Sequence, residues 1–251
     1  SSLPLIKENE VTQKILKPKV ALKISPENTK NIGDKEARMD ANNVFNLERI
    51  SSNDTIEGGM SLTYGNEFKI LDKKESFEIF DFKIANILRL SEYDDLPKYN
   101  QMNQKTSNVF SEITYNPSKS LSAKYNITTK NNLKDINNEN LSIKFSLNKF
   151  VTTFDYLNEN NSLEKNSHLS NSTKYEFDEF NNLIFATRRN KKTDLTEYYN
   201  LMYQYKNDCL AASIEYNKDF YTDRDIKPEE NIFFKLTIIP FGETSSPNLK
   251  K

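Results

Sequence analysis

Residues 141–147 read LSIKFSL, with an apolar side chain at every second position. On an extended strand successive side chains point to opposite faces, so the four apolar residues share one face and the two serines and the lysine share the other. On a helix the same apolar residues would scatter around the axis. The stretch therefore predicts a β-strand with one apolar face and one polar face.

The same alternation recurs in residues 121–127, 210–216 and 234–238. It predicts thirteen strands, at 16–24, 43–52, 56–68, 75–88, 106–115, 119–129, 139–148, 150–158, 167–178, 182–190, 196–206, 208–218 and 231–241. Most of them run about ten residues, the length that a tilted strand needs to cross a bilayer. The apolar residues stand at odd positions up to Ile79 and at even positions directly after it, which predicts a β-bulge. Residues 89–104 are polar without alternation and predict a long loop, folded inward.

Composition limits the class of protein. Of the 251 residues, 36% are hydrophobic and 28% are charged, and the net charge is −1. This balance argues against a nucleic-acid-binding protein, which needs a basic surplus on at least one face. A mean hydropathy of −0.77 would ordinarily indicate a soluble protein. A β-barrel is compatible with that value because its lumen and loops are polar and only alternate residues touch lipid.

The connections between the predicted strands fall into two length classes. Short turns are predicted at 116–118, 179–181 and 207, and longer polar loops near 130–138, 159–166, 191–195 and 219–230. Short turns on one side and long loops on the other are typical of an antiparallel, up-and-down transmembrane β-barrel, and this all-β fold is our prediction. Short turns belong in the periplasm, so Cys209 is predicted at the periplasmic rim and loop 219–230 outside the cell.

The chain carries no motif of catalysis. A Gly-rich phosphate loop, a nucleophile elbow, a zinc pattern and a dinucleotide fingerprint are all absent from the sequence. His168 is the only histidine, and a metal site would need further ligands. We therefore predict no enzymatic activity, no cofactor and no metal.

Three stretches resemble one known family. Asp40 to Gly65 contains an aspartate-rich loop, an "L-x-R-I" step and "D-x-x-E-G-G" before a strand closed by "Y-G". Tyr199 to Gly242 contains "Y-x-Y-x-N-D-C", "E-Y-x-x-D" and a strand that ends in "P-F-G". Leu16 to Asn28 resembles a third family strand. Together they resemble the LptD (OstA) family of lipopolysaccharide-assembly proteins.

The resemblance implies a location and a function. Residues 1–241 would be the carboxy-terminal part of the barrel, and 242–251 a flexible tail. The protein would be an outer-membrane translocon component of a Gram-negative bacterium, which inserts lipopolysaccharide into the outer leaflet. Its partners would be an LptE-like lipoprotein that plugs the lumen and, through an amino-terminal domain, the periplasmic Lpt bridge. Lipopolysaccharide itself would be the substrate.

The resemblance also implies two functional sites. The last strand would form one side of a lateral gate, with Asn231, Phe233, Phe234, Leu236, Ile238, Pro240 and Phe241. Cys209 matches the family's barrel cysteine, which bonds a cysteine in the receiving domain. From the residues alone, an unpaired, small core residue is the better interpretation of Cys209.

One basic cluster lies near the predicted outer rim. Arg188, Arg189, Lys191 and Lys192 could contact lipopolysaccharide phosphates, and a solvated loop explains them equally well.

Two other classes of protein also stay open: an outer-membrane barrel of another, porin-like or structural kind, and a soluble β-sandwich that binds carbohydrate.

Overall fold

The computed structural model describes residues 1–26, 30–35, 38–50, 56–160, 165–220, 228–239, 242–245 and 249–250. The described backbone is built almost entirely of strands, joined by turns and loops, with one short 3₁₀ turn at Tyr99–Gln101. The strands are β1 (Leu5–Glu8), β2 (Thr12–Ser25), β3 (Gly59–Asp72), β4 (Phe77–Arg89), β5 (Val109–Ser118), β6 (Leu121–Thr129), β7 (Ile136–Leu147), β8 (Phe150–Asn160), β9 (Lys165–Glu176), β10 (Asn181–Asn190), β11 (Leu195–Lys206), β12 (Leu210–Asp219), β13 (Glu229–Ile238), β14 (Gly242–Ser245) and β15 (Leu249–Lys250).

The chain divides into two compact units. The first comprises Ser1–Leu141 with Asn158–Asn166, and the second Ser142–Leu157 with Ser167–Lys251. In the first unit each strand from β1 to β6 pairs antiparallel with the next along the chain. In the second unit the same holds from β9 to β13. This up-and-down order confirms the predicted all-β, antiparallel fold.

Twelve of the thirteen predicted strands are confirmed, with ends shifted by a few residues. The predicted bulge is confirmed as well, because Ile70 pairs with Phe80 and Leu71 with Glu78, which leaves Ile79 unpaired. The strand predicted at 43–52 is wrong. Its described part, residues 43–50, forms turns. The turns start at Asp40, whose Oδ1 accepts hydrogen bonds from the backbone amides of residues 42 and 43 at 2.8 and 2.9 Å.

The strands keep an apolar face that no part of the described chain covers. On β2, Leu16, Val20, Leu22 and Ile24 are all exposed, whereas lysines occupy the other face. In the middle of β11 the exposed positions are the alternate residues Tyr199, Leu201 and Tyr203. A soluble β-sandwich would bury such faces in its core, so the exposed stripes favour contact with lipid.

The buried apolar core lies on the opposite face, within the first unit. The inward residues Ala85, Ile87 and Phe110 of β4 and β5 form its floor. Two non-strand stretches cover them, and these supply Ile32, Met39, Ala41, Val44 and Ile50 from residues 30–50 and Leu96 and Met102 from the loop after β4. The predicted inward folding of residues 89–104 is thereby confirmed. The polar face of the first unit is therefore covered by its own connecting segments.

The last residues pair with β13. β14 pairs with Lys235 to Ile238, and β15 pairs with Asn231 and Ile232. Within the predicted flexible tail, 242–251, the described residues 242–245 and 249–250 form these short strands, and the flexibility of the tail stays a prediction. An edge strand offers a row of unpaired backbone donors and acceptors, which explains why following residues add to it.

Candidate functional site: the polar face of the first unit and its cavity

Charged side chains form a continuous ladder across the polar face of β2 to β6. Lysines and carboxylates alternate in it, in the order Lys19, Glu67, Lys69, Asp81, Lys83, Glu112 and Lys124. Successive nitrogen–oxygen distances lie between 2.5 Å, for Lys19 to Glu67, and 3.4 Å, for Lys69 to Asp81. Each charge therefore has opposite charges on its neighbouring strands.

The position of this ladder decides which face meets water. Its members lie in the middle of strands, where charges facing hydrocarbon would cost several kcal/mol each. Paired with each other on the face opposite the apolar stripes, they avoid that cost. The polar face of the first unit is therefore a wall turned away from lipid.

Residues 38–50, which we call the docked segment, are held on this wall by hydrogen bonds to its charged side chains. The side-chain amide of Asn42 donates to Glu112 at 2.7 Å and accepts from Lys83 at 2.7 Å. The Lys23 ammonium donates to the Leu47 carbonyl at 2.7 Å. The docked segment is thus hydrogen-bonded to charged side chains of the wall.

A buried ionic cluster fixes the end of the docked segment. Arg49 donates two hydrogen bonds to Glu57, at 2.7 and 2.6 Å, in a bidentate arrangement. Arg49 also donates to Thr63 at 2.6 Å and to Ser61 at 2.9 Å on β3. Arg89 pairs with the same carboxylate, and Lys23 lies 3.1 Å from it. The side chains of Arg49, Arg89 and Glu57 are only 1–2% exposed.

The electrostatics of this cluster favour an ionised Glu57. Burial raises the pKa of its carboxyl group, but the hydrogen bond from Arg49 and the charges of Arg49, Arg89 and Lys23 outweigh burial and lower the pKa to about 2. Three cations thus surround one carboxylate. Glu57 thus joins Arg49 of the docked segment to Lys23 on β2 and Arg89 on β4.

Sequence reasoning did not predict this cluster, although a signal was present. Arg49 is the arginine of the "L-x-R-I" step, and Glu57 is the glutamate of "E-G-G". Both residues belong to the motifs that carry the family resemblance. Their opposite charges at a spacing of eight residues, in a stretch interrupted by turn residues, are compatible with a pair across a loop.

A polar cavity of about 540 Å³ lies beside the loop that follows β4. Ten residues line it, most of them amides: Lys98, Tyr99, Asn100, Gln101, Asn103, Gln104, Asn108, Lys130, Asn137 and Asn160. Asn108 and Asn137 both donate to the side-chain oxygen of Asn100, at 3.3 and 3.5 Å. These three amides are buried, so the cavity has an ordered polar floor.

The four residues of the predicted basic cluster do not form one patch in the structure. Arg188 pairs with Glu197 and stacks over the Tyr198 ring at 5.4 Å, and Arg189 pairs with Asp194 at 2.9 Å. The two arginines are consecutive on β10, so they point to opposite faces. Lys191 and Lys192 lie exposed in the following turn. Contact of these four residues with phosphates stays a prediction.

Cys209 is exposed in the turn between β11 and β12 and has no disulfide partner among the described residues. Its backbone amide donates to the Asn207 side chain at 3.0 Å. This position leaves its thiol accessible, in a chain with a single cysteine.

β13, the predicted gate strand, alternates in the same way as the other strands. Asn231 is buried, Phe233 and Leu236 are half-buried, and Phe234 and Ile238 are exposed. Pro240 and Phe241 lie outside the described residues. The strand thus presents apolar side chains on one face up to its end.

In the described ranges, helices offer no candidate for crossing a membrane, since none is both long and apolar enough. The same residues contain no group of three or more His, Cys, Asp or Glu side chains that could hold a metal ion.

Up-and-down strands with an exposed apolar face and a charged opposite face define the class as a transmembrane β-barrel protein. A family model described as "LptD: LPS transport system D" matches residues 3–188. The chain belongs to the LptD family.

The family match confirms the resemblance and gives the chain a role in lipopolysaccharide transport. It ends before the resembling stretch from Tyr199 to Gly242, which it therefore leaves untested. No curated protein matches the chain. Among solved structures, a triple mutant of the porin of Rhodopseudomonas blastica is 7% identical, with a TM-score of 0.35 over 94% of this chain and 89% of the porin.

Proposed function

We propose that the chain belongs to an outer-membrane translocon of a Gram-negative bacterium, which delivers lipopolysaccharide to the outer leaflet. Membership of the LptD family carries the proposal. The two-faced strands support it, because an amphiphile with acyl chains, phosphates and sugars needs both a hydrated wall and access to lipid. Such a protein works by binding and passage, and the proposal assigns it no catalytic step.

The lateral gate is part of the proposal, and β13 is its candidate strand. β13 forms ten residue pairs with β12, from Leu210 and Ile238 to Asp219 and Glu229. Among the described residues, its other edge holds four pairs with β14 and two with β15. Because unpaired backbone groups in lipid cost several kcal/mol each, a seam that opens must break few pairs. The sparsely paired edge of β13 meets that requirement.

The proposed partners are an LptE-like lipoprotein in the lumen and the periplasmic Lpt bridge. The docked segment and the loop after β4 already occupy the polar face of the first unit, which supports a lumen filled by protein rather than an open diffusion channel. A porin-like channel is the alternative that the following experiment separates.

Cells depleted of this protein are expected to retain newly made lipopolysaccharide inside the cell. Pulse-labelled lipopolysaccharide should reach the surface several-fold more slowly, as measured by its accessibility to an external modifying enzyme. Re-expression of the wild-type gene is the control and should restore the rate. Normal surface arrival in depleted cells, together with reduced uptake of small solutes, would overturn the proposal in favour of a porin-like channel.

We also propose that Cys209 bonds a cysteine of a periplasmic domain, since its thiol is exposed and an oxidising compartment favours the bond. Cys209→Ser is expected to abolish a mobility shift that wild-type protein shows on non-reducing gels. Asp208→Asn, at the adjacent exposed position, should leave the shift intact. Identical migration of wild type and Cys209→Ser, with and without reductant, would disprove the pairing.

A further inference from the structure

We propose that the amide-lined cavity beside the loop after β4 binds a phosphorylated saccharide. The proposal deepens the function above and rests on it in one respect: the natural source of the ligand would be the carbohydrate portion of the transported lipopolysaccharide. The binding chemistry itself is argued from the cavity.

The lining matches a ligand rich in hydroxyl groups. Five asparagines and two glutamines border the cavity. Each side-chain amide offers two donor hydrogens and an acceptor oxygen, which suits sugar hydroxyls that both donate and accept. A volume of about 540 Å³ lies within the range of about 300–1,000 Å³ that small-molecule sites occupy. The cavity therefore has the size and the polarity of a saccharide site.

The amides at its floor are already oriented. Asn100, Asn108 and Asn137 are buried, with 1–5% exposure, and are joined by hydrogen bonds among themselves. Asn86 donates to the backbone carbonyl of Asn108 at 3.1 Å and fixes it further. Preorganised polar groups lose little side-chain entropy when a ligand binds. The floor thus favours a specific ligand over loosely held solvent.

One buried acceptor in this floor is unused. The side-chain oxygen of Asn108 has no hydrogen-bond partner among the described residues. Asn108 is only 1% exposed and borders the cavity. A buried acceptor without a donor costs free energy, and a hydroxyl group seated against the floor would remove that cost.

The charge of the lining specifies an anionic ligand. Among the described residues that line it, the formally charged ones are Lys98 and Lys130, and none is a carboxylate. Lys98 lies 3.2 Å from Asp34 and Lys130 lies 3.5 Å from Asp135, in exposed or partly exposed pairs. Exposed pairs of this kind are worth little, so a ligand phosphate can replace the carboxylates.

The cavity lies where three strands end. Lys130 follows β6, Asn137 lies at the start of β7, and Asn160 is the last residue of β8. These are the strand ends joined by the longer loops, which the sequence places outside the cell. A saccharide that leaves the barrel at that side would pass the site.

The test measures binding of a deacylated, phosphorylated core oligosaccharide to the purified, intact protein in detergent. Calorimetry should show saturable binding, and Lys98→Gln combined with Lys130→Gln should weaken it about ten-fold or more. Lys134→Gln is the matched control and should bind like wild type, because Lys134 is exposed in the same loop as Lys130 but does not line the cavity. Asn137→Leu should weaken binding of both the phosphorylated and the dephosphorylated oligosaccharide, because it removes an amide rather than a charge.

Two results would overturn the inference: unchanged affinity in the double lysine variant and in Asn137→Leu, or full competition by inorganic phosphate alone, which would indicate a simple anion site. Because the ligand lacks acyl chains, the result is independent of transport. If the oligosaccharide does not bind but depleted cells show the expected slow surface arrival, only this inference is refuted. Binding with unimpaired surface arrival in depleted cells would refute only the proposed function.

Discussion

Glu57→Gln is expected to release the docked segment from the polar face. The substitution leaves Arg49, Arg89 and Lys23 buried or half-buried around a neutral amide. Removing one partner of a buried ion pair costs about 3–5 kcal/mol, because the remaining charges lose their compensation. Amide hydrogen exchange over residues 38–50 should then accelerate by about 100-fold or more, since each 1.4 kcal/mol is a factor of ten.

The matched control is Glu48→Gln, an exposed carboxylate in the same segment. It removes the same formal charge without touching the buried cluster, so exchange over residues 38–50 should stay close to that of wild type. Similar acceleration in both variants would mean that net charge, and not the pairing of Glu57, retains the segment.

Acid should reproduce the effect of Glu57→Gln. The pKa of Glu57 in the folded protein, about 2, lies below its ordinary value of 4.5. The stabilisation is therefore fully present above pH 4.5 and is lost as the pH falls towards 2. After correction for the intrinsic rates, exchange of the docked segment in wild type should accelerate across this window. Glu57→Gln should show a weaker pH dependence than wild type, because Glu112, which accepts a hydrogen bond from Asn42, still holds the segment.

Local alternation predicted the strands because it is a property of neighbouring residues. The same rule failed at 43–52, where Val44, Phe45 and Leu47 mimic a strand although Asp40 starts a series of turns. Val44 and Ile50 are buried there against strands of the first unit, and this tertiary packing overrides the local pattern.

The candidate site was harder to predict because its contacts are distant in sequence. Arg89 reaches Glu57 across 32 residues, and Asn137 reaches Asn100 across 37. Such pairs depend on strand register and on how the loops fold inward, which no single stretch encodes. The basic residues Arg188 and Arg189 show the converse, since neighbours in sequence point apart on a strand.

Leu201→Lys is expected to prevent stable insertion of the chain into the membrane. Leu201 lies midway along β11, is 41% exposed, and shares its face with Phe185 and Tyr216 on the neighbouring strands. A lysine on the lipid face near the bilayer midplane costs roughly 2–4 kcal/mol. Denaturant unfolding in lipid vesicles should show this loss, and less folded protein should be recovered from membranes.

Met202→Lys is the control that separates the two faces. Met202 is also apolar and adjacent in the chain, but it lies on the opposite face, where Glu215 is its partner on β12. A lysine there meets water and a carboxylate, so the free energy of unfolding should change by less than about 1 kcal/mol. Equal tolerance of both substitutions would contradict the assignment of the Leu201 face to lipid. Because Phe185 on β10 and Tyr216 on β12 share this face, that result would contradict the membrane-spanning interpretation of the neighbouring strands as well.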